Sequence, residues 1–278
     1  MLIVETKVLA SFQGARIVRL EIASSEISKK ARPGQFILVM VSKEGERIPL
    51  TVVDRNEEMG TITLIVQEVG FTTRLLGRLK AGDSLYSIVG PLGHSTDIKN
   101  FGTVVLIGGG VGIAEIYPVA KALKEAGNRV ISVIGSRTKD LLILEEELKA
   151  VSGGLYVLTD DGSYGRKGFT TDVLKDLLRG KDKPEKIDLI YAVGPIPMMK
   201  YVSEIVKGSG VRTLVSLNSL MVDGTGMCGG CRVIVGGQTK FTCVDGPEFD
   251  AGLIDWDALM KRSRVYARQE EHICKLRT

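Results

Sequence analysis

Thr103-Val104-Val105-Leu106-Ile107 runs directly into Gly108-Gly109-Gly110-Val111-Gly112. A threonine and four apolar residues in a row suit a strand buried on both faces of a parallel sheet, and a helical stretch follows the glycines. Strand, glycine loop, helix is the dinucleotide arrangement, although the strict G-x-G-x-x-G spacing is absent and such a loop is often only a tight connection. The rhythm repeats downstream. Strands are expected at 129–134, 155–159, 187–193 and 213–217, with helices at 141–151, 170–178 and 197–206. Five strands separated by helices make a doubly wound parallel sheet, with ligand expected beyond the strands' carboxyl ends. Those ends carry Gly108 to Gly112, Gly135-Ser136-Arg137, Asp160-Asp161-Gly162 and Gly194-Pro195. All four loops fall on one edge of the sheet.

Upstream the period changes to two. Short alternating runs at 3–10, 15–22, 35–41, 49–54, 61–68 and 84–89 predict a six-stranded antiparallel barrel, which removes exposed edges. A helix over 72–79 interrupts them with Thr72 or Thr73 as N-cap, and its free N–H groups suit a phosphate. Gly90-Pro91-Leu92-Gly93 reads as the closing turn.

Downstream of the sheet lies Asp223-Gly-Thr-Gly-Met-Cys228-Gly-Gly-Cys231, with eleven residues between it and Cys243. This is the C-x4-C-x2-C and distant C spacing of a plant-type 2Fe-2S site, with aspartate in the first slot. A glycine-rich loop can wrap three donors and a strand beyond a hairpin can supply the fourth. Three other readings compete, of which disulfides rank last in a chain with no secretory signal. Cys228 and Cys231 could be a redox pair, which leaves Cys243 unexplained. Structural zinc could take Cys228, Cys231 and Cys243 with His272 or Cys274.

At 278 residues and 44% hydrophobic, the chain has material for two domains and an appendage. A net charge of +4 from 37 basic and 33 acidic residues implies no nucleic-acid or membrane-surface role. No apolar run approaches the ~20 residues of a membrane helix. The start lacks a basic n-region, so a cytoplasmic protein without disulfides is expected. Abundant Lys and Glu beside few Asn and Gln point weakly to a thermophilic source.

Barrel, dinucleotide sheet and 2Fe-2S loop in this order resemble the ferredoxin–NADP reductase superfamily. The resemblance is to the branch with the dihydroorotate dehydrogenase electron-transfer subunit and the small subunit of NADH-dependent ferredoxin:NADP oxidoreductase. It implies an FAD-binding barrel over 1–98, an NAD-binding α/β domain over 99–217 and a 2Fe-2S subdomain with a partner-binding tail over 218–278. Pro33-Gly34-Gln35-Phe36 and Arg47-Ile48-Pro49-Leu50-Thr51 resemble flavin-binding strands, and Val69-Gly70-Phe71-Thr72-Thr73 the pyrophosphate turn. The FAD candidates are therefore Arg47, Pro49, Leu50, Thr51, Gly70, Thr72 and Thr73. Arg47 stands one position before the arginine of the R-x-Y-S signature, Leu50 replaces its tyrosine, and Glu115 stands where relatives often have proline.

The resemblance places the nicotinamide nucleotide on Gly109, Gly110 and Gly112, with Ser136, Arg137, Asp160 and Gly194 at the neighbouring strand ends. Arg137 could take a 2′-phosphate and Asp160 or Asp161 a ribose hydroxyl, so the residues leave NAD against NADP open; the resemblance favours NAD(H). Asp223 with Cys228, Cys231 and Cys243 as cluster ligands resembles the ferredoxin:NADP oxidoreductase subunit, since the dihydroorotate dehydrogenase subunit is expected to carry cysteine first. Hydride would pass between nicotinamide and FAD, and electrons between FAD and the cluster, with no catalytic side chain. The implied partner is a large flavoprotein/iron-sulfur subunit in a heterodimer, giving access to ferredoxin and NADP. Residues 249–278, with Trp256 and Tyr266 as exposed anchors, are expected to bind it. The alternatives are a dihydroorotate dehydrogenase subunit, a stand-alone reductase, or a zinc-stabilised regulatory module.

Overall fold

The computed structural model describes residues 1–180 and 186–276. They form two compact units: 1–95, 218–247 and 255–278 in one, 96–217 and 248–254 in the other.

The first unit opens with β1 (Ile3–Phe12), β2 (Ala15–Ala23), α1 (Ser25–Lys30), β3 (Phe36–Met40), β4 (Arg47–Thr51), β5 (Asp54–Asn56), β6 (Thr61–Gln67), α2 (Phe71–Gly77) and β7 (Ser87–Leu92). The strands make two antiparallel, barrel-like sheets, β1-β2-β6-β5 and β4-β3-β7. Alternation decides which side chains enter the core. Ile37, Val39 and Val41 point inward with Leu20, Ile22, Ile62 and Leu64, whereas Phe36 and Leu38 face the opposite way.

Two expectations are corrected here. The run 49–54 is not one strand: the amide of Val52 bonds Gln35 O and that of Val53 bonds Thr63 O, so the chain steps from one sheet to the other between two buried valines, and seven strands result. Gly90-Pro91 is strand, not turn. Leu92 pairs with Phe36 across a register irregularity, the kind of edge position that tolerates proline.

The second unit contains β8 (Thr103–Gly109), α3 (Gly112–Glu125), β9 (Arg129–Ser136), α4 (Glu145–Val151), β10 (Gly154–Thr159), β11 (Arg166–Lys167), α5 (Thr170–Leu178), β12 (Leu189–Val193), α6 (Ile196–Val206) and β13 (Arg212–Ser216). All seven residues of β8 are buried, as a central parallel strand requires. Sheet order is β11-β10-β9-β8-β12-β13 with a short antiparallel edge beyond β13. The chain winds outward from β8 in both directions. The helix expected from 141 begins only at Glu145, because Leu144 takes a left-handed φ of 54°.

The C-terminal part returns to the first unit with the hairpin β14 (Arg232–Val235) and β15 (Gln238–Phe241). It then lends β16 (Glu248–Asp250) to the parallel sheet, and finishes in the first unit with α7 (Trp256–Arg262) and α8 (Ala267–Leu276). Trp256 is only 8% exposed, which corrects its expected role as a free anchor: α7 packs on β14 and the Asp255 amide bonds Ile234 O. Tyr266 is exposed. Among the described residues no helix is long and apolar enough to cross a membrane.

Candidate functional site

The cysteine loop lies on the outer face of the β4-β3-β7 sheet. Phe36, Leu38 and Leu92 from that face pack with Met221, Cys231, Phe241 and Cys243. Gly224 sits over the contact at φ +74°, where a Cβ would come within 2.8 Å of both Leu38 and Leu92. Glycine is demanded there twice, by conformation and by space.

Within the loop the four expected ligands are arranged unequally. Cys231 and Cys243 are buried with their sulfurs 3.2 Å apart, and all the cysteines are free. Burial, followed by the adjacent Cys231, pushes the Cys243 thiol up to about 12. Cys228 is exposed, and its Sγ accepts from the Gly230 amide. Asp223 accepts from the amides of Thr225 (2.9 Å) and Cys228 (2.7 Å), one to each oxygen. These bonds, the Thr225 one foremost, hold its carboxyl below the usual range. The four do not converge as a group ready to hold a metal, nor does any other His, Cys, Asp or Glu set among the described residues. The donor chemistry nonetheless fits an iron-sulfur cluster: two thiols within a glycine-rich loop, a third beyond the β14–β15 hairpin, and a carboxylate whose oxygens each keep a lone pair beyond the amide they accept.

Strand β4 sorts the flavin candidates by face. Ile48 and Leu50 pack against the first unit's core. Arg47, Pro49 and Thr51 alternate to the other face, where Arg47 donates to Val222 O at 3.3 Å, at the start of the cysteine loop. Leu50 is therefore separated from the residues it was grouped with. At the expected pyrophosphate turn the N-cap of α2 is Gly70, not a threonine. Thr73 Oγ1 accepts from the amides of Val69 and Gly70, while the buried Thr72 donates to Glu46. No sequence signal marked Glu46 as a partner.

In the second unit, parallel register aligns the strand ends. Gly109 pairs with Gly135, Ser136 with Thr159 and Gly108 with Val193. Gly110, Arg137, Asp160 and Gly194 thus leave the sheet along one edge. Gly110 adopts φ +58° and donates to Gly135 O at 2.8 Å, and a Cβ on it would meet nothing within 4 Å. A Cβ on Gly112 would lie 2.4 Å from Val193 O, so α3 can start against β12 only through glycine. Met198 fills the space beside Gly109 and Gly194. Arg137 is exposed, whereas Ser136 is buried and donates to Thr138 O. The two acids differ. Burial, then Asp161, raises the Asp160 carboxyl, and the Ser163 hydroxyl and amide lower that of Asp161.

Comparison with known proteins agrees with this architecture. Residues 106–204 match the oxidoreductase NAD-binding domain, and residues 218–255 match the iron-sulfur cluster binding domain of dihydroorotate dehydrogenase B. A dihydroorotate dehydrogenase B (NAD(+)) electron transfer subunit homolog from Thermotoga maritima is 52% identical over 90% of this chain and 87% of its own. The corresponding electron transfer subunit of Geobacillus thermodenitrificans is 34% identical over 85% of this chain and 92% of its own. A solved structure of NADH-dependent reduced ferredoxin-NADP oxidoreductase, described in connection with flavin-based electron bifurcation, contains a chain 48% identical to this one. It superposes with a TM-score of 0.90, over 99% of this chain and 96% of that one. This chain is an oxidoreductase subunit of the ferredoxin–NADP reductase superfamily, in the family of dihydroorotate dehydrogenase B-type electron-transfer subunits.

Proposed function

We propose that the chain is the electron-transfer subunit of a ferredoxin:NADP oxidoreductase of the bifurcating type, carrying FAD, NAD(H) and a 2Fe-2S cluster. The observation that carries this reading is the near full-length likeness, at 48% identity, to the NADH-dependent reduced ferredoxin-NADP oxidoreductase chain. Bound flavin and cluster supply the exchange between two-electron and one-electron transfer, and the polypeptide binds and orients them.

In this reading the first unit is the flavin domain. Arg47 supplies the cation for a phosphate, Pro49 and Thr51 share its face, and the Gly70 and Thr73 turn holds the pyrophosphate end. Leu50, directed to the core, supports the strand instead. Thr72 helps by fixing the turn through Glu46. In the second unit Gly109, Gly110 and Gly112 admit the nucleotide, Gly194 lines its nicotinamide end, and Ser136, Arg137 and Asp160 face its adenosine half. Asp160, with no bond to Ser163 of the kind that occupies Asp161, is the carboxylate offered to a ribose diol. Asp223, Cys228, Cys231 and Cys243 would hold the cluster, as thiolates and a carboxylate suited to iron.

A second reading, an electron-transfer subunit serving dihydroorotate oxidation, is favoured by the cluster-domain match over 218–255. The native complex separates the two. Our reading expects ferredoxin- and NADP-dependent turnover with NADH and no oxidation of dihydroorotate; the reverse result would establish the second. Released flavin should be FAD, about one per chain, and FMN alone would contradict the assignment of the first unit.

The partner is taken to be a large flavoprotein/iron-sulfur subunit in a heterodimer. Because α7 is buried on its own chain, the contact is assigned to the exposed Val265, Tyr266 and Ile273 around α8. Truncation after Ser263 should leave a coloured chain that no longer co-purifies with its partner. Undiminished assembly would place the interface elsewhere.

A further inference from the structure

The chain enters the second unit at Thr96, leaves it after Leu217, re-enters at Glu248 and leaves again after Ile254. Three of those crossings come together at Glu248. Glu248 Oε1 accepts the Thr96 hydroxyl and, at 2.9 Å, the Tyr191 hydroxyl. Its backbone lies opposite Ser216, the residue before Leu217, in the β13–β16 pairing. Tyr191, only 1% exposed, lies in β12 three residues before Gly194.

A buried tyrosine–glutamate pair is ordinarily just a satisfied core contact. An anchor for the edge strand would need only Tyr191 and Ser216, however, and Thr96 belongs to no strand. Its bond to Glu248 joins the entering segment to the returning one. Among the neighbouring charges, Arg212 favours the Glu248 carboxylate, Asp97 opposes it, and Glu115 acts on Tyr191. Burial outweighs these and raises the Glu248 carboxyl.

We propose that Glu248 is a positioning residue that locks the three chain crossings to β12, so that the Gly194 loop and the segments leading into the nucleotide-binding unit move as one body. The Gly194 loop is assigned to the nicotinamide end of the nucleotide, and a slack β12 edge within this unit would lower the fraction of time in which that end is held ready for reaction. The kinetic consequence rests on the proposed nicotinamide and flavin assignment; the lock itself does not.

Two measurements on the holo chain test it. In anaerobic stopped flow, Glu248→Ala should slow flavin bleaching about tenfold at saturating NADH while leaving the apparent NADH Kd within about twofold. Glu248→Gln should stay within about twofold of the parent, because the amide oxygen still accepts both hydroxyls. Thr96→Val, which spares Tyr191, should reproduce part of the slowing with little change in Tm, and it carries the test if Glu248→Ala does not fold. In hydrogen exchange, peptides covering 94–98 and 246–250 should exchange about tenfold faster in Glu248→Ala and in Thr96→Val. Unchanged exchange would overturn the lock whatever the cofactors. Faster exchange with an unchanged bleaching rate would overturn the positioning role, as would a Gln variant as slow as Ala. A parent whose flavin NADH cannot bleach would defeat the functional reading instead, and exchange would still decide the lock.

Discussion

Gly110→Val is expected to leave the purified chain coloured and to cut its reduction by NADH at least about a hundredfold. The reason lies in what surrounds the position. A Cβ there meets no protein atom within 4 Å, so the protein offers no steric objection of its own. The backbone does object, since φ is +58° and a β-branched residue in the left-handed region costs about 1–3 kcal/mol. That is affordable for a unit whose central strand is wholly buried, and Tm should fall by only a few degrees. A nucleotide lying across the loop would meet the isopropyl group directly. Gly112→Ala provides the contrast, because its Cβ would lie 2.4 Å from Val193 O and must push backbone against backbone. It should lower stability by about 1–3 kcal/mol and affect every activity of the unit alike. If Gly110→Val is bleached by NADH at the parent rate, the nucleotide binds elsewhere.

The Asp223 series should have the other large effect, on the cluster. Asp223→Ala removes a ligand and two turn bonds together, so the cluster should be lost or labile. Asp223→Cys should keep a cluster with a displaced potential, as oxygen donation becomes sulfur donation. The informative variant is Asp223→Asn. Both carboxylate oxygens accept backbone amides, and an asparagine can accept only one while presenting its NH2 to the other. The turn therefore loses one of these bonds whether or not the residue is a ligand, and a thermal melt cannot decide the question. The cluster's EPR spectrum can. A ligand substitution should change it, whereas an unchanged spectrum and potential in Asp223→Asn would make Asp223 a turn cap alone.

Much of the architecture was legible because it rests on local periodicity. Val104 to Ile107 announced a strand buried on both faces, whereas Phe36 to Val39 is apolar throughout, so its core side and its cysteine-loop side are told apart only by their contacts. The family and cofactor set followed from the order of these patterns and the cysteine spacing. What could not be read depended on distant partners. Nothing local says that Val52 and Val53 bond to different sheets, that Glu248 to Asp250 adds an edge to the parallel sheet, or that Trp256 is covered by its own chain. The facing of Leu50 depends on distant partners too: one position on a strand reverses the face, and only the core contacts of Ile48 and Leu50 fix the phase. Cysteine spacing marked the donors, but the turn bonds of Asp223 belong to loop geometry that spacing does not encode.

The central claim is that one chain carries NADH-derived electrons through flavin to an iron-sulfur cluster. Its most direct test is an anaerobic NADH titration of the natively purified chain, followed by visible and EPR spectroscopy with iron, sulfide, zinc and flavin analysis. The account predicts FAD with iron and sulfide in equal amounts, bleaching of the flavin by NADH, and the appearance of a reduced 2Fe-2S signal. Zinc in place of iron, or a cluster that stays oxidised while NADH bleaches the flavin, would contradict it.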